Sequence, residues 1–558
     1  MAKIHTLKIR NFRGIKDFEQ SFGDENFICI LGRGDSGKTT ILEAISLVLS
    51  PNWNLAFTDC DFHNADIDQP IIIEASLIEP PDDLLKDHKF GNYLRGLDVK
   101  TDIISDQIED GHIDLFTIRL TVTKELEPIW EVICERHDPV EIKSSDRAKF
   151  NVFLVSDYLD RHFSWNKGNP LYTLFKQGNI EAENTNIIID EMRNAKIHID
   201  GTAGFSHLDE TIQKIQAAAA TLGTDISSTK TSIDAKDLNI KDGKVCLHDE
   251  KIPFRLKGKG SKRLISIAIQ TELMKHGGIL LIDEIEQGLE PDRAQHLANL
   301  LKNSSNGQVF ITTHSRDVLV ELEAHNLFRM KNGGNSLFQF SADMQGCLRT
   351  NPEAFFADRV IVCEGPTEIG FVRALNSFRK KSGKGNIALK GIRLANGNGS
   401  SQVEYAEGFN KAGYDVCMFC DSDVEAINKK KTGLIANGIS IVDTENDKAL
   451  EDQIFHDLDW PGVLELLEYR KTARSINEII AQVSKFHSQP FPADGFTKET
   501  SDLRIAIGKA STQENHNWFK RTDHGEKIGG ICCNRMEQYA GKYLHGQINL
   551  LNKWIDNV

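Results

Sequence analysis

Residues 26–49 read NFICILGRGDSGKTTILEAISLVL. The first six, NFICIL, form an apolar strand, and TILEAISLVL at the end has a helical pattern. Between them stands GRGDSGKT, a G-x-x-x-x-G-K-T motif in the strand-to-helix context that it requires. Gly32, Gly34 and Gly37 let backbone N–H groups turn toward phosphates. Lys38 can reach the β- and γ-phosphates, the Thr39 hydroxyl can ligate Mg²⁺, and Thr40 continues the first helical turn. The positive end of the helix favours the same anion. A merely Gly-rich turn explains the flanking strand and helix poorly. The stretch predicts an α/β nucleotide-binding unit.

Such a loop needs an acid on a neighbouring strand. GGILLIDEIEQGLEP, residues 277–291, supplies it. Asp283 would hold the Mg²⁺ water shell, and Glu284 could polarise the attacking water. About 30 residues later QVFITTHS forms another apolar strand ending at His314, placed to sense the γ-phosphate. Just before the Asp283 strand, LKGKGSKRLISIAIQTELMKHGG opens an apolar helix from a small basic turn containing Gly258, Gly260 and Ser261. The free N–H groups of such a turn bind anions.

Composition bounds the rest. The chain has 558 residues, 40% of them hydrophobic and 26% charged, with a formal net charge of −15. That length implies two to four units. An acidic protein does not attract nucleic acid by overall charge, so any such binding needs local basic patches or metal ions. No apolar run approaches the ~20 residues of a membrane span. The opening MAKIHTLKIRNFRG has no apolar signal region and reads as a strand with Ile4, Leu7 and Ile9 inward. Cysteines such as Cys29 and Cys363 lie in apolar runs, as reduced core thiols do. Cys417 and Cys420 lack the second pair that a zinc site requires. The expected compartment is the cytoplasm, with no membrane partner.

The order of phosphate loop, Gly-Ser helix start, Asp-Glu strand, GLEP turn and His resembles the ATP-binding-cassette ATPases, especially the RecF, Rad50 and SMC branch. The KIRNFRG opening at 8–14 is similar, and the resemblance puts Arg13 near the nucleotide. It also implies that Gly260 and Ser261 complete the ATP site of a second subunit, hence a dimer or higher oligomer. The sequence departs from that family in carrying GKGSKR in place of the usual Leu-Ser-Gly-Gly signature. Rad50 and SMC proteins fill the interval between Lys38 and Asp283, about 245 residues here, with long coiled coils, but no sustained heptads occur. HLDETIQKIQAAAATLG and its surroundings read as a compact helical insert, either a dimerisation arm or a simple surface insertion.

A second α/β unit begins after MKNGGNS and SADMQGCLRTNPEAFF, which read as a linker. DRVIVCEGPTEIGFVRALNSF, residues 358–378, is strand, turn and helix. Glu364 ends the strand, Pro366 suits the first helical position, and Glu368 lies one turn into the helix. YDVCMFCDSDVE, 414–425, is a second strand ending in Asp421 and Asp423, which at a period of two face the same way. An acidic strand end is either a solvated turn or a metal site. Ligands gather at the carboxyl ends of strands in open α/β sheets. Four converging anions repel unless a hard cation such as Mg²⁺ or Mn²⁺ joins them. Glu451 and Asp452 in KALEDQIF add a third acidic point. Basic residues cluster at 373–393 and at Lys429–Lys431, flanking these acids, where they could contact phosphates.

Glu364 with Glu368, then Asp421-x-Asp423, resembles a TOPRIM domain. A topoisomerase would need a DNA gate for which the chain has no room, and a primase usually carries a zinc module. A cassette-type ATPase followed by TOPRIM resembles the OLD (overcoming lysogenisation defect) nucleases, which include the Gabija nuclease and retron-associated effectors. The resemblance implies two-metal phosphodiester hydrolysis with Glu364, Glu368, Asp421 and Asp423 as catalytic metal ligands, Glu451 as a further ligand, and a late lysine near the scissile phosphate, Lys520 in preference to Lys527. It implies ATPase parts at 1–164 and 236–345, the insert at 165–235, a TOPRIM core at 346–465 and a helical remainder at 466–558. The expected activity is cleavage of DNA, or of RNA, in anti-phage defence, with a helicase or a reverse transcriptase and its noncoding RNA/DNA as possible partners. The competing reading is a RecF-like repair ATPase or scaffold whose TOPRIM unit only binds.

Overall fold

The computed structural model describes residues 2–156, 159–163, 169–177, 190–191, 193–198, 203–221, 247–275, 277–303, 307–331, 333–491, 495–513 and 515–557. The first unit is built on two sheets. One is antiparallel, in the order Ile15–Ser21, Lys3–Phe12, Ile71–Ile78, Ile113–Val122, Arg95–Asp98, Ile103–Ser105, with Pro128–Val132 also paired to Ile113–Val122. The opening strand buries Ile4, Leu7 and Ile9 as expected. The odd spacing from Ile4 to Leu7 would break a period of two. A register shift between Ile4 and Thr6 restores it, the usual effect of a bulge.

The other sheet carries the phosphate loop. Its order is Val152–Val155, Ile279–Ile282, Gln308–Thr312, Phe27–Leu31, Leu327–Met330, all parallel, with Leu337–Gln339 antiparallel at the edge. Phe27, Cys29 and Leu31 face one core, while Ile28 and Ile30 face another. Burial on both faces explains why these strands read as unbroken apolar runs. The helix Lys38–Val48 lies in the second core with the antiparallel sheet, burying Ile41, Leu42, Ile45 and Val48.

The second unit has four parallel strands in the order Ile392–Asn396, Arg359–Cys363, Asp415–Cys420, Ser440–Asp443. Helices from Leu450–Asp457 to Tyr543–Asp556 cover the face that presents Ile361, Cys363, Cys417 and Phe419. The opposite face, with Val360, Val362, Val416 and Met418, shares its core with the phosphate-loop sheet. The stretch read as a linker therefore differs from expectation. It contains the helix Gln345–Thr350 and buries Met344, Cys347, Leu348, Ala354 and Phe355 in that shared core. Its glycines suggested flexibility, but its apolar residues fill the seam between the units.

Part of the expected insert belongs to the first unit. Helix Pro170–Gln177 packs on helix Lys259–Met274, and Leu171 is buried in the core. Helix Asp209–Thr221 is described, but much of 165–235 lies outside the described residues, and with it the dimerisation arm. Cys417 and Cys420 are buried free thiols. No helix among the described residues is long and apolar enough to cross a membrane.

Candidate nucleotide pocket and metal centre

Three adjacent parallel strands deliver the first site. Phe27–Leu31 runs into the phosphate loop, Ile279–Ile282 into Asp283, and Gln308–Thr312 into Thr313 and His314. Gly37, at the helix N-cap, has φ 99°, a left-handed conformation that favours glycine. Lys38 is buried and its Nζ donates to the carbonyls of Gly32 (3.0 Å) and Arg33 (2.8 Å), so the lysine lies across the loop. Burial lowers its pKa against the pull of Asp283 and Glu284.

Thr39 Oγ1 donates to one oxygen of Asp283 at 2.9 Å, and Thr312 Oγ1 to the other at 2.6 Å. Glu284 follows at φ 50° with its N–H on Thr312 Oγ1. A glutamate in this region is strained, and such strain gathers at functional sites. Sequence reading missed Glu286, whose carboxylate accepts from Thr313 Oγ1 and from His314 N, both at 2.7 Å. It fixes the turn that presents His314. Burial, and then Lys38, lower the pKa of that imidazole.

Gly260 and Ser261 lie in the first turn of Lys259–Met274. A Cβ on Gly260 would overlap the Gly288 carbonyl oxygen. Arg263, also in this helix, donates to the carbonyls of Asp283 and Glu284 and to Gln287 Oε1. The helix start is thus pinned to the back of the Asp283 loop, with Ser261 exposed. Arg13 pairs with Asp61 and with Glu43 of the phosphate-loop helix. Gly34 is exposed and Thr40 half-buried on the loop and helix.

The second site forms where Arg359–Cys363 and Asp415–Cys420 lie side by side. Glu364 and Asp421 follow them, and Asp421 N donates to Glu364 Oε2 at 3.1 Å. Glu368 caps its own helix by accepting from Gly365 N at 2.8 Å. Leu450 N donates to Asp421 Oδ1 at 2.9 Å, which draws the helix bearing Glu451 onto the strand end. One carboxylate oxygen each of Glu368, Asp421 and Glu451 lie within 4.8 Å of one another. The three residues are only 5%, 8% and 8% exposed.

Burial, and then Glu451, push Glu368 up to about 8. Burial likewise pushes Glu451 up to about 7 and Asp421 well above the usual carboxylate range, with Glu368 its main charged neighbour. Glu364 is raised by burial, partly offset by the Asp421 N–H bond. Three buried carboxylates without a cation of their own are costly. An all-oxygen donor set suits a hard divalent ion such as Mg²⁺ or Mn²⁺.

Asp423 is exposed and lies outside this trio. The strand ends at Cys420 and the next residues turn, so the period of two does not carry Asp423 inward beside Asp421. Its charge still acts on Glu364 and Asp421. The two late lysines separate clearly. Lys520 is exposed but close enough for its charge to draw the pKa of Glu364 and Glu451 downward, whereas Lys527 lies over the Tyr469 ring at 5.9 Å.

Glycines place Lys520. A Cβ on Gly370 would overlap the Thr522 carbonyl oxygen, and one on Gly525 the Thr367 carbonyl oxygen. Helices Pro366–Lys381 and Thr522–Asn534 therefore touch backbone to backbone. Thr367 Oγ1 donates to the Phe519 carbonyl at 2.6 Å beside the lysine.

The basic runs divide. Arg379 is buried and, with Lys390, pairs with Asp556 of the last helix. Lys380, Lys381, Lys384 and Arg393 are exposed. Lys429 pairs with Glu425, Lys430 is exposed, and Lys431 turns inward. The two units are also joined, at the end of the strand Arg359–Cys363 opposite Glu364. Arg33 of the phosphate loop donates to Asp358 at 3.1 Å, one residue before the Glu364 strand.

A family model described as an AAA ATPase domain matches residues 2–319. A second, the TOPRIM domain of overcoming lysogenization defect protein-like chains, matches residues 355–423. The second spans Glu364, Glu368, Asp421 and Asp423, while Glu451 and Lys520 lie beyond it. No curated protein matches. Among solved structures, the chain is similar to the Smc head domain from Pyrococcus furiosus bound to the C-terminal domain of ScpA, at 13% identity and TM-score 0.33, over 61% of this chain and 97% of that one. It is similar at the same identity and score to the recombination mediator RecF, over 61% of this chain and 98% of that one. Likeness at this level does not extend to function. The chain belongs to the AAA ATPase family by its first 319 residues, and the unit behind them is an OLD-like TOPRIM domain.

Proposed function

We propose that the protein is an ATP-binding, divalent-metal-dependent nuclease that cuts nucleic acid, DNA in preference to RNA. The observation that carries this reading is the buried trio Glu368, Asp421 and Glu451, with the charge of Lys520 acting on it. A scaffold has no use for three carboxylates that repel one another in a core. Glu368, Asp421 and Glu451 would hold one cation, and Glu364 and Asp423 would contribute to a second. Such ions activate water and stabilise the leaving oxygen of a phosphodiester. Lys520 would neutralise the scissile phosphate, and exposed Lys380, Lys381, Lys384 and Arg393 would hold the backbone through charge alone.

At the first site Lys38 would hold the triphosphate, Thr39 and Asp283 its Mg²⁺, and Glu284 the attacking water. His314 would sense the γ-phosphate. Gly260 and Ser261 would complete the site of a second copy, and Arg13 would approach the nucleotide from the Glu43 side. Through the Arg33–Asp358 contact, ATP would regulate cleavage. A cytoplasmic role in anti-phage defence fits these parts.

The test is cleavage of plasmid, linear duplex, single-stranded DNA and tRNA with Mg²⁺ or Mn²⁺, with and without ATP. Wild type and an Asp421→Ala/Glu451→Ala variant are compared. Cutting that disappears in the variant supports the proposal. Intact ATP hydrolysis with no cutting of any substrate, or equal cutting by both proteins, overturns it.

A further inference from the structure

We infer that Lys431 is a positioning residue of the metal centre, holding the Asp421–Asp423 turn from behind; this rests on the nuclease reading above. The turn has left the sheet, so ladder hydrogen bonds no longer fix it. Ser422, only 1% exposed, takes over that task. Its N–H donates to Thr444 Oγ1 at 2.8 Å, its hydroxyl to the Thr444 carbonyl at 2.7 Å, and its carbonyl accepts from Asn428 Nδ2 at 2.8 Å. The remaining acceptor capacity of that hydroxyl goes to Lys431 Nζ at 2.9 Å. Lys431 is in turn anchored by Asp443 Oδ2 at 2.8 Å, at the end of the neighbouring strand. Its side chain is 13% exposed, too enclosed for a lysine that merely decorates a nucleic-acid path.

The residue's charge and its geometry predict effects of opposite sign. A cation beside an acidic cluster opposes the arrival of another. If Lys431 were only a nearby charge, removing it would tighten metal binding. If it holds the turn, removing it takes one of the bonds that fix the Ser422 hydroxyl and leaves Asp443 with only its Tyr543 hydrogen bond, Asp421 and Asp423 shift, and metal binding weakens. Partners one step removed from metal ligands typically account for 10–100-fold in affinity.

The experiment measures Mn²⁺ affinity of the metal-free, full-length protein by calorimetry, in an Asp283→Asn background that removes the nucleotide-site acid. Lys431→Met is expected to bind about 10–100-fold more weakly, Lys431→Arg within a few-fold of the parent, and Ser422→Ala roughly tenfold more weakly although every charge is kept. Ser422→Ala also carries the test should Lys431→Met fail to fold. Tighter or unchanged binding by Lys431→Met, or parental binding by Ser422→Ala, would overturn the inference. No Mn²⁺ binding by the parent itself would overturn the metal reading on which it rests, whereas parental binding that the variants share would leave that reading standing and remove only the role of Lys431.

Discussion

Removing one anion from the buried trio is expected to stabilise the metal-free protein, increasingly as pH rises. Glu368 goes from its ordinary value of 4.5 up to about 8 on folding. A group raised in the folded state contributes stability that is fully present below its unfolded value and is lost as pH climbs through the folded one. For this carboxyl the loss approaches on the order of 5 kcal/mol above pH 8, of which about 2 kcal/mol is already gone at pH 6. Glu368→Gln cannot ionise, yet keeps a carbonyl oxygen to accept from Gly365 N, so the helix cap survives. Between pH 6 and pH 8.5 the wild type should therefore lose about 2–3 kcal/mol more than the variant, several degrees in the melting of a unit of roughly 200 residues. The assay is thermal unfolding in EDTA at a series of pH values. Saturating Mg²⁺ should reverse the order, because only the wild type retains the full donor set. Parallel pH slopes for the two proteins, or a variant less stable than wild type at pH 8.5 in EDTA, would refute the reasoning.

Three other outcomes are expected. Because Glu451 and Glu368 are raised to about 7 and about 8, Mn²⁺ binding should release protons near neutrality and strengthen from pH 6 to pH 8, seen as buffer-dependent calorimetric heat. Gly370→Ala should push apart the two helices that meet at Thr522, destabilising the second unit by about 1–3 kcal/mol and abolishing cleavage with ATP hydrolysis retained. Arg33→Ala should leave ATP binding within a few-fold, since it is the Arg33 carbonyl that meets Lys38, but should uncouple cleavage from ATP, as read by nuclease assays across an ATP titration. The exposed ion pair itself should matter little to stability, at most about 1 kcal/mol.

The parts most legible in the sequence were those whose chemistry is local. The phosphate loop lies within eight consecutive residues, and its strand and helix follow from apolar pattern alone. Glu364 and Asp421 could be placed because each directly ends an apolar strand. Asp423 was misplaced because the alternation that governs a strand stops where the strand stops, and no residue type marks Cys420 as its last member. Lys431 and Lys429 look alike in a run of three lysines, yet one faces inward and one outward, because the facing partners Ser422 and Asp443 are brought there by folding. Arg379 and Lys390 looked available to nucleic acid for the same reason, since their partner Asp556 is 177 and 166 residues away. The seam between the units read as a linker because its glycines are visible in the sequence and its burial is not.

The glycine crossing that brings Lys520 to the acids has a consequence in time. Thr367 and Phe519, which touch there, are 152 residues apart in the chain. A ribosome adding about 5–20 residues per second takes roughly 8–30 s to cover that interval. In the last part of it, once Glu451 has been added, a nascent chain carries every carboxylate of the site but not yet Lys520 to set against a bound phosphate. On the proposed chemistry, a half-made copy is therefore harmless to the nucleic acid around it, and the capacity to cut arrives only when helix Thr522–Asn534 docks.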